Sequence, residues 1–112
     1  MTISEEKADG VLVLGVSGKI QTAASEELLK KLNTLIDQGE QYLLLDFSHV
    51  EYINSSGLRV LLVVAKKLKG LGGKMVLATM TEWVQLVLRI SGCASFIGVY
   101  PSKEEALNAL ER

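Results

Sequence analysis

The stretch LLLDFSHVEYINSSGLRVLL, Leu43 to Leu62, decides the fold of this 112-residue chain. It contains most of a continuous apolar run, YLLLDF from Tyr42 to Phe47, which is typical of a strand buried on both faces of a parallel sheet. After a short loop, apolar residues recur at helical spacing from Leu58 to Lys69. A polar corner, Asn54-Ser55-Ser56-Gly57, joins this predicted strand to this predicted helix.

The alternation of strand and helix patterns continues toward both ends of the chain. It implies parallel strands with right-handed crossovers, so we predict an α/β fold with a mostly parallel, four- to five-stranded sheet and about four helices. No linker divides the chain, and a single domain over residues 1–112 is expected. The further predicted strands cover residues 2–8, 11–17, 74–79 and 96–100, and the further helices cover residues 24–36, 82–90 and the segment after Pro101.

Candidate capping residues mark the start of each predicted helix. A Ser, Thr, Asp or Asn side chain at the N-cap accepts a hydrogen bond from an unpaired backbone N–H of the first turn. A hairpin turn at Asp9-Gly10 and a loop GKIQTA, residues 18–23, are expected before the first helix. The candidate caps are Thr22 or Ser25, Ser55 or Ser56, Thr79 with Glu82, and Ser102 with Glu105, and the candidate helix ends are Gly39, Gly70 and Gly92.

Charge and composition argue against several classes of partner. The net charge of −1 gives no strong field that would attract nucleic acid or an anionic membrane. Cys93 has no second cysteine with which to form an internal disulfide, and residues 1–10 lack the apolar core of a signal peptide. We therefore expect a cytoplasmic protein with no nucleic-acid and no membrane partner.

Residues suited to catalysis or metal binding are sparse. The single histidine, His49, is near Ser55 in sequence, but the G-x-S-x-G pattern of a hydrolase nucleophile is absent. GLGGK, residues 70–74, lacks the full phosphate-loop pattern and precedes a strand, so a simple turn is expected. One His and one Cys are too few for a metal site. We therefore expect that the protein is not an enzyme and that it binds no cofactor and no metal. Catalytic turnover or nucleotide binding by the isolated domain would contradict this expectation.

The serine junction has a physical interpretation of its own. One serine can cap the helix and Gly57 allows a tight turn, which leaves the other hydroxyl free at the helix N-terminus. The unpaired N–H groups and the partial positive charge there stabilise a phosphoryl group. Phosphorylation would add roughly −1.5 to −2 charge and would change binding without disrupting the fold. A helix cap without modification is the simpler alternative, and these residues alone leave both open.

The same stretch, LLLDFSHVEYINSSGLRVLL, closely resembles the signature of the STAS domain family of anti-sigma factor antagonists. That signature is a buried strand ending in Asp, a small-residue loop, and Asp-Ser-[Ser/Thr/Ala]-Gly-Leu opening a helix. GVLVLGVSGKI, residues 10–20, and GGKMVLATMTEWVQLVLRISG, residues 72–92, also match in order. The resemblance implies a single-domain STAS-like fold and a bacterial anti-sigma factor antagonist.

The resemblance also implies a mechanism and a site. In the family, an anti-sigma factor of the serine-kinase type phosphorylates the serine matching Ser55, with Ser56 as the second choice. The unphosphorylated antagonist binds the anti-sigma factor and frees the sigma factor, phosphorylation ends binding, and a serine phosphatase restores it. The implied partner-binding residues are Lys19, Ile20, Gln21, Thr22, Asn54, Ser55, Ser56, Gly57, Leu58 and Arg59.

Two departures from the family pattern make the implied surface less negative. Asn54 stands where the family usually has Asp, so phosphorylation could be slower, and GKIQTA replaces an acidic GELD-like loop. Arg59 adds a cation that could pair with a phosphoryl group, although an exposed helical arginine is usually just solvated. The alternative function within this fold is a STAS subunit that docks on an ATPase or a signalling assembly without switching.

Overall fold

Five strands form a single sheet in which the spatial order of the strands follows their order in the chain. The computed structural model describes residues 1–110, so the last two residues of the predicted domain lie outside the described residues. β1 pairs with β2 antiparallel and the other neighbours pair in parallel, which confirms the predicted α/β fold. The strands are β1 (Thr2–Ala8), β2 (Val11–Ile20), β3 (Tyr42–Ile53), β4 (Lys74–Ala78) and β5 (Gly98–Tyr100); the helices are α1 (Thr22–Asp37), α2 (Ser55–Gly70), α3 (Glu82–Ser91) and α4 (Lys103–Ala109), and a short 3₁₀ turn spans Cys93–Ser95.

Alternate side chains of the sheet build two hydrophobic cores, one on each face. Leu43, Leu45 and Phe47 of β3 belong to the larger core, which α1, α2 and α3 cover. Leu44 points to the opposite face and packs with Ala106 of α4. Because helices cover both faces, β3 needs apolar residues at consecutive positions, which explains its continuous apolar run. Within residues 1–110, no helix is both long enough and apolar enough to span a membrane.

The two central strands run further than the sequence pattern predicts. β2 continues to Ile20 instead of Ser17, and β3 continues to Ile53 instead of Phe47. The predicted loop over residues 18–23 is therefore wrong except at Gln21, because residues 18–20 belong to β2 and residues 22–23 to α1. The predicted short loop after Phe47 is a strand. The two extensions pair with each other, which satisfies backbone groups that would otherwise need water.

Two register shifts explain why the extension of β3 was not visible in the sequence. They lie between Gly15 and Ser17 and between Gly18 and Lys19 of β2, and each leaves one extra residue in β3. After the shifts, buried residues recur in β3 every third position, as the burial pattern over residues 47–53 shows. A search for two-residue alternation cannot detect such a strand.

Helix α1 begins directly after Gln21, and no side chain caps it. Thr22 is its first residue, and the hydroxyl of buried Ser25 donates back to the Thr22 carbonyl at 2.7 Å. The predicted cap at Thr22 or Ser25 is therefore wrong, because both residues lie within the helix. The first backbone N–H groups of this helix therefore have no side-chain acceptor within residues 1–110.

The ends of the later helices agree partly with the predicted caps. Thr81 caps α3 by accepting a backbone N–H at 3.3 Å, so the predicted pairing of Thr79 with Glu82 is wrong. Ser102 accepts the Glu105 N–H at 3.1 Å and caps α4 as predicted.

Two strands, β4 and β5, are shorter than predicted. Thr79 has a left-handed φ of 58°, which ends β4 at Ala78 instead of Thr79. The Phe96 N–H donates to the Cys93 carbonyl at 3.0 Å and closes the 3₁₀ turn, so β5 begins only at Gly98. Gly92, at φ 83°, ends α3 as predicted.

Candidate functional site

The N-termini of α1 and α2 lie side by side at one end of the sheet. β2 and β3 are parallel neighbours, and each is followed at once by its helix. Their last residues, Ile20 and Ile53, are register partners, and the Asn54 N–H donates to the Ile20 carbonyl at 3.1 Å. This pairing brings the segment 19–22 next to the segment 54–59, although more than thirty residues separate them in the chain.

Asn54 is the N-cap of α2. Its backbone is extended, and its side-chain oxygen accepts the Gly57 N–H at 3.1 Å. The predicted cap at Ser55 or Ser56 is therefore wrong, because the helix begins at Ser55 and not at Leu58. An asparagine one residue earlier satisfies the N–H group that the serines were expected to satisfy.

The two serines consequently occupy the first two positions of α2. Ser55 is exposed and Ser56 is half-buried. Neither hydroxyl has a hydrogen-bond partner within the part of the chain that the structure describes. Both serines therefore lie at the helix terminus with no structural bond to lose, and Ser55 is the more accessible of the two.

Two of the predicted partner-binding residues are buried under this surface. Ile20 is 0% exposed, and a Cβ on Gly57 would lie 2.6 Å from Ile53 Cγ1 and 2.9 Å from Ile20 Cγ2. Gly57 has no left-handed φ, so its requirement is close packing and not the tight turn that the sequence suggested. Ile20 and Gly57 support the site from below, and Leu58 is half-buried beside them.

Four exposed residues of the site, Lys19, Gln21, Thr22 and Arg59, line two adjoining hollows, whereas the exposed Ser55 lines neither. The first, which we call the terminal depression, lies between the starts of α1 and α2, and the second, the interhelical groove, runs between the two helices. The terminal depression is lined by Met1, Lys19, Gln21, Thr22, Ala23, Ala24, Glu27 and Asn54. The interhelical groove is lined by Thr22, Ser25, Glu26, Leu29, Ser56, Arg59, Val60 and Val63.

Several residues of these hollows were missed by sequence reasoning. Met1, Glu26 and Glu27 carry no local signal, because the pairing of β1 with β2 and the position of α1 bring them to the site. Val63, an apolar residue of α2, is 48% exposed and lines the interhelical groove. Its spacing of four residues from Arg59 could have indicated that both face the groove.

Charge at the site is mixed and mostly unpaired. Lys19 and Arg59 are exposed, and neither forms an ion pair within residues 1–110. Glu27 lines the terminal depression with Lys19, and Glu26 lines the interhelical groove with Arg59. This surface therefore presents both cations and carboxylates that form no ion pair within residues 1–110.

Two polar residues near the junction in sequence have other roles. The His49 ring lies 3.1 Å from the Ser48 hydroxyl and makes no described bond to either serine of α2. Asp46 accepts the Thr79 hydroxyl and the Ser48 N–H and so connects β3 to the loop before α3. Burial alone would raise the pKa of Asp46, but these bonds and the Lys103 cation together hold it below its ordinary value.

Comparison with known proteins identifies the family. A sequence model of the STAS domain matches residues 2–106. A candidate anti-sigma factor antagonist of Bordetella bronchiseptica, BtrV, is 37% identical over 111 residues, which are 99% of this chain and 96% of the relative. The crystal structure of an anti-sigma factor antagonist from Mycobacterium paratuberculosis is similar at 27% identity, with 97% of this chain and 92% of that chain covered and a TM-score of 0.89. Phosphorylated SpoIIAA of Bacillus shares the fold at 21% identity, with coverages of 98% and 100% and a TM-score of 0.74. The chain therefore belongs to the STAS domain family.

Proposed function

We propose that this protein is an anti-sigma factor antagonist whose binding is switched off by phosphorylation of Ser55. In the unphosphorylated form it binds an anti-sigma factor of the serine-kinase type and so releases a sigma factor. The relative at 37% identity, matched over nearly its whole length, supports the antagonist role. The protein itself acts as a regulatory binding module in the cytoplasm and not as an enzyme.

The position of Ser55 is the single observation that carries the proposal. It is exposed at the first position of α2, and its hydroxyl has no bond within residues 1–110. A kinase can therefore approach this oxygen without unfolding the helix. Transfer of the γ-phosphoryl group of ATP to Ser55 Oγ would release ADP and the hydroxyl proton. Hydrolysis by a serine phosphatase would consume one water, release inorganic phosphate and restore the hydroxyl.

The surroundings of the two serines favour Ser55 over Ser56. Ser56 is half-buried and lines the interhelical groove together with the Glu26 carboxylate. A phosphoryl group on Ser56 would lie in the same hollow as this like charge, which disfavours it. Ser55 is the more exposed serine and does not carry this penalty.

The helix cap allows the switch to change binding without changing the fold. Asn54, and not a serine, accepts the N–H bond that fixes the start of α2. Phosphorylation of Ser55 therefore removes no structural hydrogen bond and adds roughly −1.5 to −2 charge beside open backbone N–H groups. The added charge and bulk would end the fit of a partner docked over the exposed residues Lys19, Gln21, Thr22 and Arg59.

One feature favours a second candidate function, a STAS subunit that docks on an ATPase or a signalling assembly without switching. Asn54 is neutral, and its side-chain oxygen is used in the cap. If a carboxylate at this position were needed to orient the hydroxyl or to bind the kinase, Ser55 would remain unmodified. The terminal depression would then serve only for docking.

The test begins with the intact mass of the protein isolated from its own cells, before and after phosphatase treatment, with fragmentation to locate any phosphoryl group. Copurifying proteins are identified and reconstituted with the antagonist in the presence of ATP and Mg²⁺. We expect Ser55→Ala to bind the partner constitutively, Ser55→Asp to bind it weakly, and the control Ser56→Ala to behave like the native protein. An unchanging mass, together with a stable partner that is not a kinase, would favour the second candidate.

A further inference from the structure

We propose that Arg59 binds the phosphoryl group on Ser55 and thereby stabilises the phosphorylated state. This inference rests on Ser55 being the modified residue of the proposed function. It adds a residue of the same chain that binds the phosphoryl group. The phosphoryl group would then be held in one position and would not point freely into solvent.

Helical spacing places the two side chains together. Ser55 and Arg59 are four residues apart within α2, and side chains at this spacing lie on the same face with Cβ atoms about 6 Å apart. A guanidinium on its long side chain can reach a phosphoryl oxygen over that separation and can bond two oxygens at once. The negative partner lies on the N-terminal side, which is the favourable order with respect to the helix dipole.

Arg59 is free to make this contact. It is exposed, and it forms no ion pair or hydrogen bond within the described residues. The basic residues in the last turn of the same helix are Lys67 and Lys69, and Lys67 already donates to Asn33 at 3.0 Å. Arg59 is therefore the cation of α2 closest in sequence to Ser55, and within residues 1–110 it has no structural partner to give up.

Other charged groups near Ser55 are less well placed. Glu26 of α1 lines the interhelical groove with Arg59 but lies beyond 4.0 Å from it, so a phosphoryl dianion would compete for Arg59 against one unpaired carboxylate. Lys19 and Glu27 line the terminal depression with Met1 and Asn54, and Ser55 does not line it. Lys19 belongs to β2 and not to α2, so its distance from Ser55 is not fixed by the helix.

The experiment uses the full chain with phosphoserine introduced at position 55 during translation, so no kinase is needed. ³¹P NMR titration gives the second ionisation of the phosphoryl group, and thermal unfolding gives Tm with and without the modification. The variants are Arg59→Gln, Arg59→Lys and Lys19→Gln. Lys69→Gln is the matched control, because it removes the same charge from the same helix about 21 Å away, well beyond the screening length of about 8 Å.

We expect the phosphoryl group to ionise at lower pH in the native chain than in Arg59→Gln, and Arg59→Lys to lie between them. Phosphorylation should raise Tm by roughly 2 °C more in the native chain than in Arg59→Gln, with the difference shrinking as salt is added. Lys69→Gln should match the native chain. Equal ionisation and equal Tm increments in the native chain and Arg59→Gln would overturn the assignment, and an effect of Lys19→Gln alone would transfer it to Lys19. Failure to find a kinase would count against the proposed function. It would not affect the NMR and Tm comparison, because the phosphoserine is introduced during translation.

Discussion

The side chain of Asn54 accepts the Gly57 N–H, which leaves the hydroxyls of Ser55 and Ser56 without a structural role. In the proposed function, capping by Asn54 and phosphorylation of Ser55 therefore fall on two different, adjacent side chains. This separation matters because Ser55 then holds no structural hydrogen bond that phosphorylation would have to replace. At the residue scale, the free hydroxyl of Ser55 depends on the oxygen of Asn54.

We predict that Asn54→Ala destabilises the protein by about 1 kcal/mol, because α2 loses its side-chain cap. Asn54→Asp keeps an acceptor at the same place and adds a charge that suits the helix N-terminus, so its stability should equal or slightly exceed that of the native chain. Urea denaturation followed by circular dichroism measures both. Ser55→Ala and Ser56→Ala are the controls, and each should lie within about 0.5 kcal/mol of the native chain. A serine variant as unstable as Asn54→Ala would show that a serine is the cap.

At the element scale, Gly57 sets how closely α2 packs on the ends of β2 and β3. We predict that Gly57→Ala costs about 1–3 kcal/mol, because its Cβ would lie 2.6 Å from Ile53 Cγ1 and the core must shift. Gly70→Ala is the matched control on the same helix, since a Cβ there meets nothing within 4 Å. Gly70→Ala should be neutral or should gain up to about 1 kcal/mol from helix propensity. Equal effects of the two substitutions on the urea midpoint would contradict the packing account.

A second contact between elements joins β3 to the loop before α3, through Asp46 and Thr79. The pKa of Asp46 is held below its ordinary value, so its ionised form stabilises the fold above about pH 4, and this contribution is lost as the pH falls through the folded-state pKa. We predict that Asp46→Asn flattens the acid side of the Tm-against-pH profile. Glu51→Gln, at an exposed position of the same strand, is the control and should leave the profile unchanged. If Tm of Asp46→Asn still falls at low pH as steeply as that of the native chain, other carboxylates cause the loss of stability in acid.

At the scale of the whole molecule, the larger core connects the sheet to the first three helices. Leu61 is fully buried in this core, whereas Val63 is 48% exposed on the same helix. We predict that Leu61→Ala costs about 2–5 kcal/mol, because a cavity remains under α2. Val63→Ala should cost no more than about 0.5 kcal/mol in the same urea titrations. A large loss for Val63→Ala would mean that the interhelical groove is closed in solution.

The sequence by itself determined the order of the elements, because apolar periodicity is a local property. The continuous run of Tyr42–Phe47 predicted a strand covered on both faces, and the helical spacing after Gly57 predicted α2. The polar corner between them was recognisable for the same reason, since its residues are adjacent in the chain. The STAS signature added the family and a specific serine.

Only the tertiary structure decided where the central strands end and where the helices after them begin. The extensions of β2 and β3 form because each satisfies the backbone of the other across more than thirty residues, and the extra residues of β3 have no signal of their own. The cap is Asn54 and not a predicted serine, because β3 ends at Ile53 and α2 begins two residues later. Met1, Glu26 and Glu27 reached the site by the packing of β1 and α1, which no local pattern records. Local periodicity specifies elements, and long-range pairing specifies which side chains meet.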